Sequence, residues 1–356
     1  MPNNKTILVA PLHWGLGHAT RCIPIIKALL MAGYKVLLAS DGAALLLLRK
    51  EFPKLTSIVL PSYDITYSKK GEYFKWKLLW KLPYIQRAIT SEKKIIEELV
   101  AEGAIQGIIS DNRLGVFSKE VPTVFITHQL NVLTGNTSYF SSKIHQKVIK
   151  KFDECWVPDV DSIVNLSGKL GHLKNANPAT KYIGPISRFQ KKDLPKKYDV
   201  LALVSGPEPQ RTLFEQKLIE ELKGTQKKVL LVRGVMESQQ MKTQQENFIT
   251  VNFMQSEELE NAINESSIVV SRSGYTTILD LAALEKKAFF VPTPGQYEQK
   301  YLAKRLKNFG LVPSCRQENF TLEKLNQVPL YKGLSNFKIS PDFQSLFRLF
   351  EGKGEL

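Results

Sequence analysis

At the start of the chain, short apolar runs alternate with amphipathic stretches. Thr6–Ala10 is apolar and partly β-branched, which predicts a buried parallel strand. After a glycine-containing turn, Cys22–Met31 carries apolar residues at helical spacing, and Tyr34–Ala39 is a second apolar run. A strand, a helix and a strand in this order predict a βαβ unit with a right-handed crossover.

The same alternation continues through the first half of the chain and starts again after Ser187–Tyr198, a polar stretch rich in lysine and proline. The 356 residues also exceed the roughly 250–300 at which single cores usually divide. We therefore expect the α/β class, with two doubly wound, Rossmann-like domains facing each other across a cleft. The expected bounds are residues 1–186 for the first domain, 187–198 for a linker and 199–356 for the second, whose final helix is a candidate to pack back on the first. The further predicted strands are Ser57–Leu60, Ile105–Ser110, Thr123–Thr127, Asp199–Ser205, Lys228–Val232, Ile249–Asn252, Ser267–Ser271 and Ala288–Val291, and the further helices are Ser91–Ala101, Glu257–Asn264 and Gly274–Glu285.

Composition limits the partners. Lys+Arg exceeds Asp+Glu by 49 to 34, a formal net charge of +15, which favours anionic partners such as phosphorylated substrates or anionic lipid head groups. No nucleic-acid module signature is present, so nucleic acid is not an expected partner. The three cysteines are far apart and show no Cys/His metal spacing, so we expect neither a disulfide framework nor a metal site.

The apolar runs also bear on localisation. The longest, Ala43–Leu48, is far below the ~20 residues that span a bilayer, and the N-terminus lacks signal-peptide features. We expect a cytoplasmic protein, with peripheral binding to the inner face of the cell membrane as the finer expectation. Tyr73–Arg87 mixes tryptophans and leucines with lysines, a composition that binds anionic membrane surfaces. A partly buried helix is the alternative for this segment.

The clearest chemical signal lies in Ile268–Asp280. A buried strand turns at small polar residues into a helix whose first turn contains Gly274 and two threonines. Free backbone N–H groups and the positive end of the helix dipole suit a diphosphate there. Asp280 lies less than two turns further on, where its carboxylate can accept hydrogen bonds from ribose hydroxyls. The alternative is an ordinary serine N-cap followed by an exposed helical aspartate.

The next strand leads into a second polar loop within Phe290–Tyr301. Two prolines and a glycine predict a rigid turn that brings amides and carboxylates to the same sheet edge. Gln296 and Gln299 supply the amides, and Gln299 suits sugar hydroxyls because an amide both donates and accepts hydrogen bonds. A solvated helix start is the alternative.

In the first domain, the turn His13–His18 is the third candidate segment. Its glycines permit close backbone approach, and His18 opens the following helix, where the dipole favours the neutral imidazole that a general base requires. Arg21, one turn further on, could reach a phosphate. Asp111 follows a predicted strand and is the alternative base, because polar residues at strand ends point into the expected cleft.

Together these segments resemble glycosyltransferase family 28. The resemblance rests on SRSGYTT…D at Ser271–Asp280, on the VPTPG-QYEQ loop and on the Gly-Leu-Gly-His turn, and it is clearest over residues 199–310. It implies the GT-B architecture and a hexosyltransferase that moves a sugar from a UDP-sugar to an acceptor hydroxyl. It also implies inverting displacement with no cofactor besides the UDP-sugar co-substrate. The excess of basic over acidic residues further indicates a lipid-linked acceptor or one at a membrane surface.

The family's functional positions carry over to both halves of this sequence. Asp280 stands where the family has a ribose-binding glutamate, and prolines replace part of the family's phosphate loop at Ser205–Arg211. His18 and Asp111 are the catalytic candidates. On the acceptor side the candidates are Arg21, one helical turn after His18, and Arg113 and His128, which follow predicted strands. The predicted donor-binding residues are Gly17, Ser205, Arg211, Met254, Ser273, Gly274, Thr276, Thr277, Asp280, Gln296 and Gln299.

The N-terminal turn departs from the family pattern. Pro24 comes six residues after His18, where the family usually has a proline three residues after the histidine. The Gly-His-x-x-Arg arrangement is more similar to a GT-B hydrolase that cleaves a nucleotide-sugar in nonulosonic acid synthesis, so a UDP-sugar hydrolase is the alternative activity. A non-catalytic nucleotide-binding module is a further alternative. A dinucleotide-binding dehydrogenase is weaker, because Gly15 and Gly17 give only half of a GxGxxG pattern.

Overall fold

The computed structural model describes residues 4–63, 74–132, 138–173, 179–235, 237–337 and 341–352, with only the backbone described at 74–82 and at 140. The chain divides into two compact units. The first comprises Met1–Ile65, Lys75–Ile186 and Ile339–Leu356, and the main part of the second is Ser187–Lys338.

The first unit is built on a seven-stranded sheet whose paired neighbours are all parallel. Its strands are β1 (Thr6–Pro11), β2 (Lys35–Ser40), β3 (Ser57–Val59), β4 (Gly107–Asp111), β5 (Thr123–Ile126), β6 (Glu154–Val157) and β7 (Thr180–Tyr182). Its first four helices are α1 (Gly17–Met31), α2 (Gly42–Glu51), α3 (Phe74–Ala101) and α4 (Ser138–Ile149). The strand order is β3-β2-β1-β4-β5-β6-β7, so the winding reverses between β1 and β4. In doubly wound sheets, ligands bind at the carboxyl ends of the strands at such a reversal.

The central strands form because they are apolar on both faces. In β1 the residues from Ile7 to Ala10 are fully buried, and β4 and β5 are buried along their whole length. A parallel sheet covered by helices on both sides requires this pattern. On one face Leu8 and Ile108 pack with Ile96 of α3, which fixes the strand ends against a rigid core.

The second unit contains a six-stranded sheet of order β10-β11-β9-β8-β12-β13. Its strands are β8 (Tyr198–Leu203), β9 (Val229–Val232), β10 (Lys242–Gln245), β11 (Phe248–Val251), β12 (Ser266–Ser271) and β13 (Ala288–Phe290). Its helices are α5 (Gln210–Leu222), α6 (Ser256–Asn264), α7 (Tyr275–Ala283) and α8 (Tyr297–Asn308). Only the edge strand β10 is antiparallel among the described pairs. Two parallel α/β sheets confirm the predicted fold class.

The end of the described chain belongs to the core of the first unit. After residue 340 the short helix α9 (Phe343–Phe347) is followed by Phe350, which is 1% exposed. The rings of Phe347 and Phe350 lie 6.0 and 6.4 Å from that of Tyr34. Lys5 Nζ donates to the Phe350 carbonyl oxygen at 2.9 Å, and a Cβ on Gly107 would lie 2.6 Å from the Phe350 ring. The last segment therefore completes the packing beneath β1 and β4.

Several elements lie outside the predicted set. β6 and β7 are short and each contains charged residues, and β10 is wholly polar and exposed, so none shows a clear apolar run. The helices α2, α4, α5 and α8 were not predicted either. The predicted helix Ser91–Ala101 is the last part of α3, which begins at Phe74.

Candidate active site

The catalytic candidates of the first unit lie at the carboxyl edge of its sheet. His18 is the second residue of α1, Asp111 is the last residue of β4, and His128 follows β5. Because β1, β4 and β5 are adjacent strands, residues far apart in the chain meet at this edge.

His18 and Asp111 form a hydrogen-bonded pair. His18 Nδ1 lies 2.8 Å from Asp111 Oδ1. Asp111, which can only accept, favours the proton on Nδ1, whereas Arg21 Nη2, which can only donate and also lies 2.8 Å from Nδ1, favours the opposite tautomer. The His18 side chain is 15% exposed, whereas that of Asp111 is fully buried. His18 can therefore meet a substrate through Nε2, and Asp111 can act only through His18. The prediction of Asp111 as an alternative base is wrong for this reason.

Arg21 holds Asp111 in place from inside the protein. Its Nε donates to Asp111 Oδ2 at 2.5 Å and its Nη2 donates to Oδ1, which makes a two-pronged ion pair. Its Nη1 lies 3.0 Å from His128 Nδ1, so that nitrogen accepts. Arg21 is 1% exposed. The expectation that Arg21 reaches a phosphate or an acceptor is therefore wrong, because its guanidinium is hydrogen-bonded to these buried partners.

The charges around this pair set its protonation. Burial alone would raise the pKa of Asp111, but the charge of Arg21 and the contacts with His18 outweigh it and hold that pKa well below its ordinary value. Burial lowers the pKa of His18, and Arg21 acts in the same direction, while Asp111 opposes both. A neutral imidazole beside an ionised carboxylate at neutral pH is the state of a general base.

Arg113, predicted on the acceptor side, is also fully buried. It is ion-paired with Asp41, which follows β2, and its Nη1 donates to Glu92 Oε1 at 2.6 Å. Its Nε donates to the Pro11 carbonyl oxygen at 3.1 Å. The prediction that Arg113 contacts an acceptor is wrong, because the guanidinium ties the end of β1 to its neighbours.

An Asp-x-Asp sequence, Asp159-Val160-Asp161, follows β6, so the interpretation that no such motif is present is wrong. Asp159 is fully buried and accepts from the backbone N–H of Leu166 at 3.0 Å and of Ser167 at 2.8 Å. His172 Nε2 lies 3.3 Å from the same carboxylate. Asp159 therefore folds the loop that follows β6.

In the second unit, two predicted donor segments meet at one corner of the sheet. Ser273 Oγ, fully buried at the β12–α7 turn, donates to the Gln299 carbonyl oxygen at 2.8 Å. The side-chain Oε1 of Gln299 accepts from the Thr293 N–H at 2.8 Å. The turn before α7 and the loop before α8 are thus joined, as expected from the pairing of β12 with β13. Gln296 caps the start of α8 and is half-buried.

Arg272, which the sequence interpretation did not include, is the centre of this corner. It is 1% exposed, and its guanidinium lies 3.9 Å from the centre of the Phe214 ring. It donates to the carbonyl oxygens of Val291 at 3.0 Å and Gln210 at 2.9 Å, and to Gln317 Oε1 at 2.7 Å. Burial lowers its pKa to about 9. Its position directly after a predicted strand was the one feature of the sequence that indicated a place at this sheet edge.

The amino end of α7 is open to a ligand. Gly274 caps it with extended backbone and no side-chain hydrogen bond, and a Cβ there would meet only Thr277 Oγ1 at 3.8 Å. The first turn of the helix consists of Tyr275, Thr276 and Thr277, and the positive end of the helix dipole lies there. Thr276 and Thr277 are half-buried. The geometry suits a diphosphate oxygen.

Asp280, one turn further along α7, is half-buried and accepts from Ser187 Oγ at 2.6 Å. Burial raises the pKa of Asp280 to about 6, against the opposing charge of Arg188. Its carboxyl group therefore changes charge close to physiological pH.

The remaining donor candidates are distributed along the same edge. Ser205 is exposed just past β8, and Met254 is half-buried after β11, two strands away. Gly17 is the first residue of α1 and so belongs to the other unit. Arg211 lies within 2.7 Å of Glu215 and 2.5 Å of Glu208, so two carboxylates already share its charge, and its contact with a phosphate stays a prediction.

Part of the chain matches a known family model, and the whole chain resembles solved structures. Residues 206–336 match the glycosyltransferase family 28 C-terminal domain. The UDP-N-acetylglucosamine--N-acetylmuramyl-(pentapeptide) pyrophosphoryl-undecaprenol N-acetylglucosamine transferase of Glaesserella parasuis is 24% identical over 255 residues, 70% of this chain and 69% of that protein. The transferase of the same name from Haemophilus ducreyi is 24% identical, and the alignment spans 61% of each chain.

Solved structures resemble the chain over nearly its whole length. MurG from Acinetobacter baumannii has a TM-score of 0.56 and 15% identity, with 98% of this chain and 99% of that chain covered. The glycosyltransferase SnogD from Streptomyces nogalater has a TM-score of 0.64 and 11% identity, with coverage of 98% and 99%.

The two sheets and these structural matches define the GT-B fold of glycosyltransferases. Within that class, residues 206–336 match the C-terminal domain of glycosyltransferase family 28, and the predicted resemblance is confirmed over that range. The named relatives are transferases, so the hydrolase and non-catalytic alternatives find no support in them.

Proposed function

We propose that the protein transfers a sugar from a UDP-sugar to a hydroxyl group of a lipid-linked pyrophosphate acceptor. The observation that carries the proposal is the corner of the second unit where Ser273 is bonded to Gln299 beside the open end of α7, within the matched family 28 domain. The names of the relatives supply the donor and acceptor classes.

In the proposed reaction, His18 Nε2 removes the proton from the acceptor hydroxyl as its oxygen attacks the anomeric carbon of the sugar. Asp111 keeps the proton on Nδ1 and stabilises the imidazolium that forms. The bond from the anomeric carbon to the diphosphate breaks on the opposite face, which inverts the configuration. The positive end of the α7 dipole stabilises the charge that develops on UDP, and we propose that no divalent ion is needed.

The donor half of the proposal is tested by calorimetric titration with UDP. We expect Thr277→Ala to weaken UDP binding by about 10- to 150-fold, since a hydrogen bond to a charged group contributes about 1.5–3 kcal/mol. Thr243→Ala, on the exposed strand β10, is the matched control and should bind like the wild type. Equal UDP affinity in both variants would remove the phosphate contact from the proposal.

The transfer itself is tested with UDP-N-acetylglucosamine and undecaprenyl-pyrophosphoryl N-acetylmuramyl-pentapeptide, with and without EDTA. We expect product only when the acceptor is present, and equal rates with the chelator. Rapid release of free sugar without acceptor would show a hydrolase instead.

We further propose that the protein binds peripherally to an anionic membrane surface. None of the described helices is long and apolar enough to cross a membrane. In the predicted membrane-binding segment, Tyr73 and the side chains of residues 74–82 lie outside the described residues, while Tyr84 is 48% exposed and Arg87 is exposed. The net charge of +15 also favours binding to an anionic membrane surface. Flotation with vesicles containing anionic lipid tests the proposal, and vesicles of neutral lipid are the control.

A further inference from the structure

The turn between β1 and α1 contains a second histidine, His13, which the proposed mechanism does not use. His13 Nδ1 lies 3.2 Å from Asp41 Oδ2. Asp41 follows β2, just as Asp111 ends β4, and β1 lies between these two strands. Two histidine–carboxylate pairs therefore flank the carboxyl end of one strand.

The carboxylate of the second pair is held as firmly as that of the first. Asp41 is 6% exposed, and the buried guanidinium of Arg113 pairs with its Oδ1. Burial would raise the pKa of Asp41, but the hydrogen bond from His13 and the charge of Arg113 outweigh it and lower that pKa. Because an ionised carboxylate only accepts, His13 donates from Nδ1, and in the neutral ring Nε2 is the nitrogen that accepts.

The ring of His13 has a fixed position that solvent can still reach. It lies directly over Gly42, whose φ is +49°, and a Cβ at that residue would be 2.2 Å from the His13 Cε1 atom. The side chain of His13 is 32% exposed, about twice the 15% of His18. Space for the ring thus depends on a glycine, and about a third of the side chain remains available to a ligand.

We infer that His13 binds the acceptor, with Nε2 accepting a hydrogen bond from one of its hydroxyl groups. The ligand group is a hydroxyl and not an ionised phosphate, because an accepting Nε2 needs a hydrogen-bond donor. His13 lies five residues before His18 in the same turn, so its ligand belongs to the substrate that His18 deprotonates. This inference rests on the proposed function and adds an acceptor contact to it.

Two substitutions separate ligand binding from a purely structural role. The side-chain amide of Gln reaches the place of Nε2, whereas that of Asn reaches the place of Nδ1 and preserves only the contact with Asp41. We expect His13→Ala and His13→Asn to raise the KM for undecaprenyl-pyrophosphoryl N-acetylmuramyl-pentapeptide about tenfold, as the loss of one hydrogen bond of about 1.4 kcal/mol would do. We expect the KM of His13→Gln to return most of the way to the wild-type value. In all three variants kcat should change less than about threefold.

The calorimetric Kd for UDP is measured for each variant and should equal that of the wild type. An unchanged acceptor KM in His13→Ala would overturn the inference alone, while UDP binding and transfer would still stand. Rescue by Asn and not by Gln would also overturn it, because only the contact with Asp41 would then matter. This Gln–Asn comparison still decides the question if the Ala variant does not fold. Failure of the wild type to bind UDP would overturn the proposed function and this inference together.

Discussion

The substitution Asp111→Asn tests the His18 pair most directly, because it changes one oxygen to nitrogen and leaves the shape unchanged. In the native protein, Arg21 and Asp111 are 1% and 0% exposed. Removing the negative charge leaves the guanidinium buried without its counter-ion, which costs about 3–5 kcal/mol in comparable buried pairs. A loss of this size is a large part of the ~5–15 kcal/mol that stabilises a typical protein.

The effect on catalysis is separate from that on stability. The new amide oxygen can continue to accept from Arg21, and the amide nitrogen then faces His18 Nδ1, 2.8 Å away in the native pair. A donor at that position moves the imidazole proton to Nε2, where it blocks proton abstraction. General bases contribute about 10²–10⁴ in rate, so we expect kcat to fall by at least a hundredfold at a temperature where the variant is folded.

The assay combines thermal unfolding with steady-state transfer, and Asp159→Asn is the control. Asp159 is an equally buried carboxylate of the same unit that contacts His172 but lies outside the proposed mechanism. We expect the control to lose stability while keeping kcat within about threefold. A folded Asp111→Asn protein with nearly native kcat would refute the assigned tautomer and the role of His18 as the base.

Three further predictions concern protonation and the donor corner. Burial lowers the pKa of His18, so kcat should stay constant as the pH falls to 6.5, the ordinary pKa of histidine, and should decline only below that pH. His18→Ala should abolish turnover. Because burial raises the pKa of Asp280 to about 6, its ionised form is disfavoured in the folded state, and stability should fall as pH rises from about 4 through 6. UDP affinity should rise over the same range if ribose hydroxyls donate to Asp280, and calorimetry on Asp280→Asn should show neither dependence. Arg272→Met removes the hydrogen bonds that join three segments and should cost about 3 kcal/mol or more in urea unfolding, whereas Lys304→Met on the exposed side of α8 should cost little.

The parts of the fold that the sequence predicts are those where local pattern and tertiary role agree. β1, β8 and β12 are apolar runs followed by turn residues, and the structure has strands there. β6 and β10 lack this agreement, since β6 begins with a charged residue and β10 is wholly polar. Such strands are defined by their neighbours in the sheet, which composition does not reveal.

The candidate site shows the same division. His18 and Asp111 can each be selected from their position at a strand end, but their contact spans 93 positions in the chain and emerges only from the order of the strands. Arg21 and Arg113 were misassigned because arginine is usually exposed unless it is paired, and their carboxylate partners lie 90 and 72 positions away. Arg211 differs, because Glu208 and Glu215 at helical spacing already indicated its ion pairs.

The return of the chain to the first unit has a consequence for synthesis on the ribosome. The second unit is nearly continuous in sequence and can fold as soon as Lys338 has emerged. The first unit stays incomplete until Phe347 and Phe350 are available to cover Tyr34 and the surface beside Gly107. The half translated first is therefore the half that matures last, and a nascent chain stalled before residue 341 would expose the underside of β1 and β4 to chaperones.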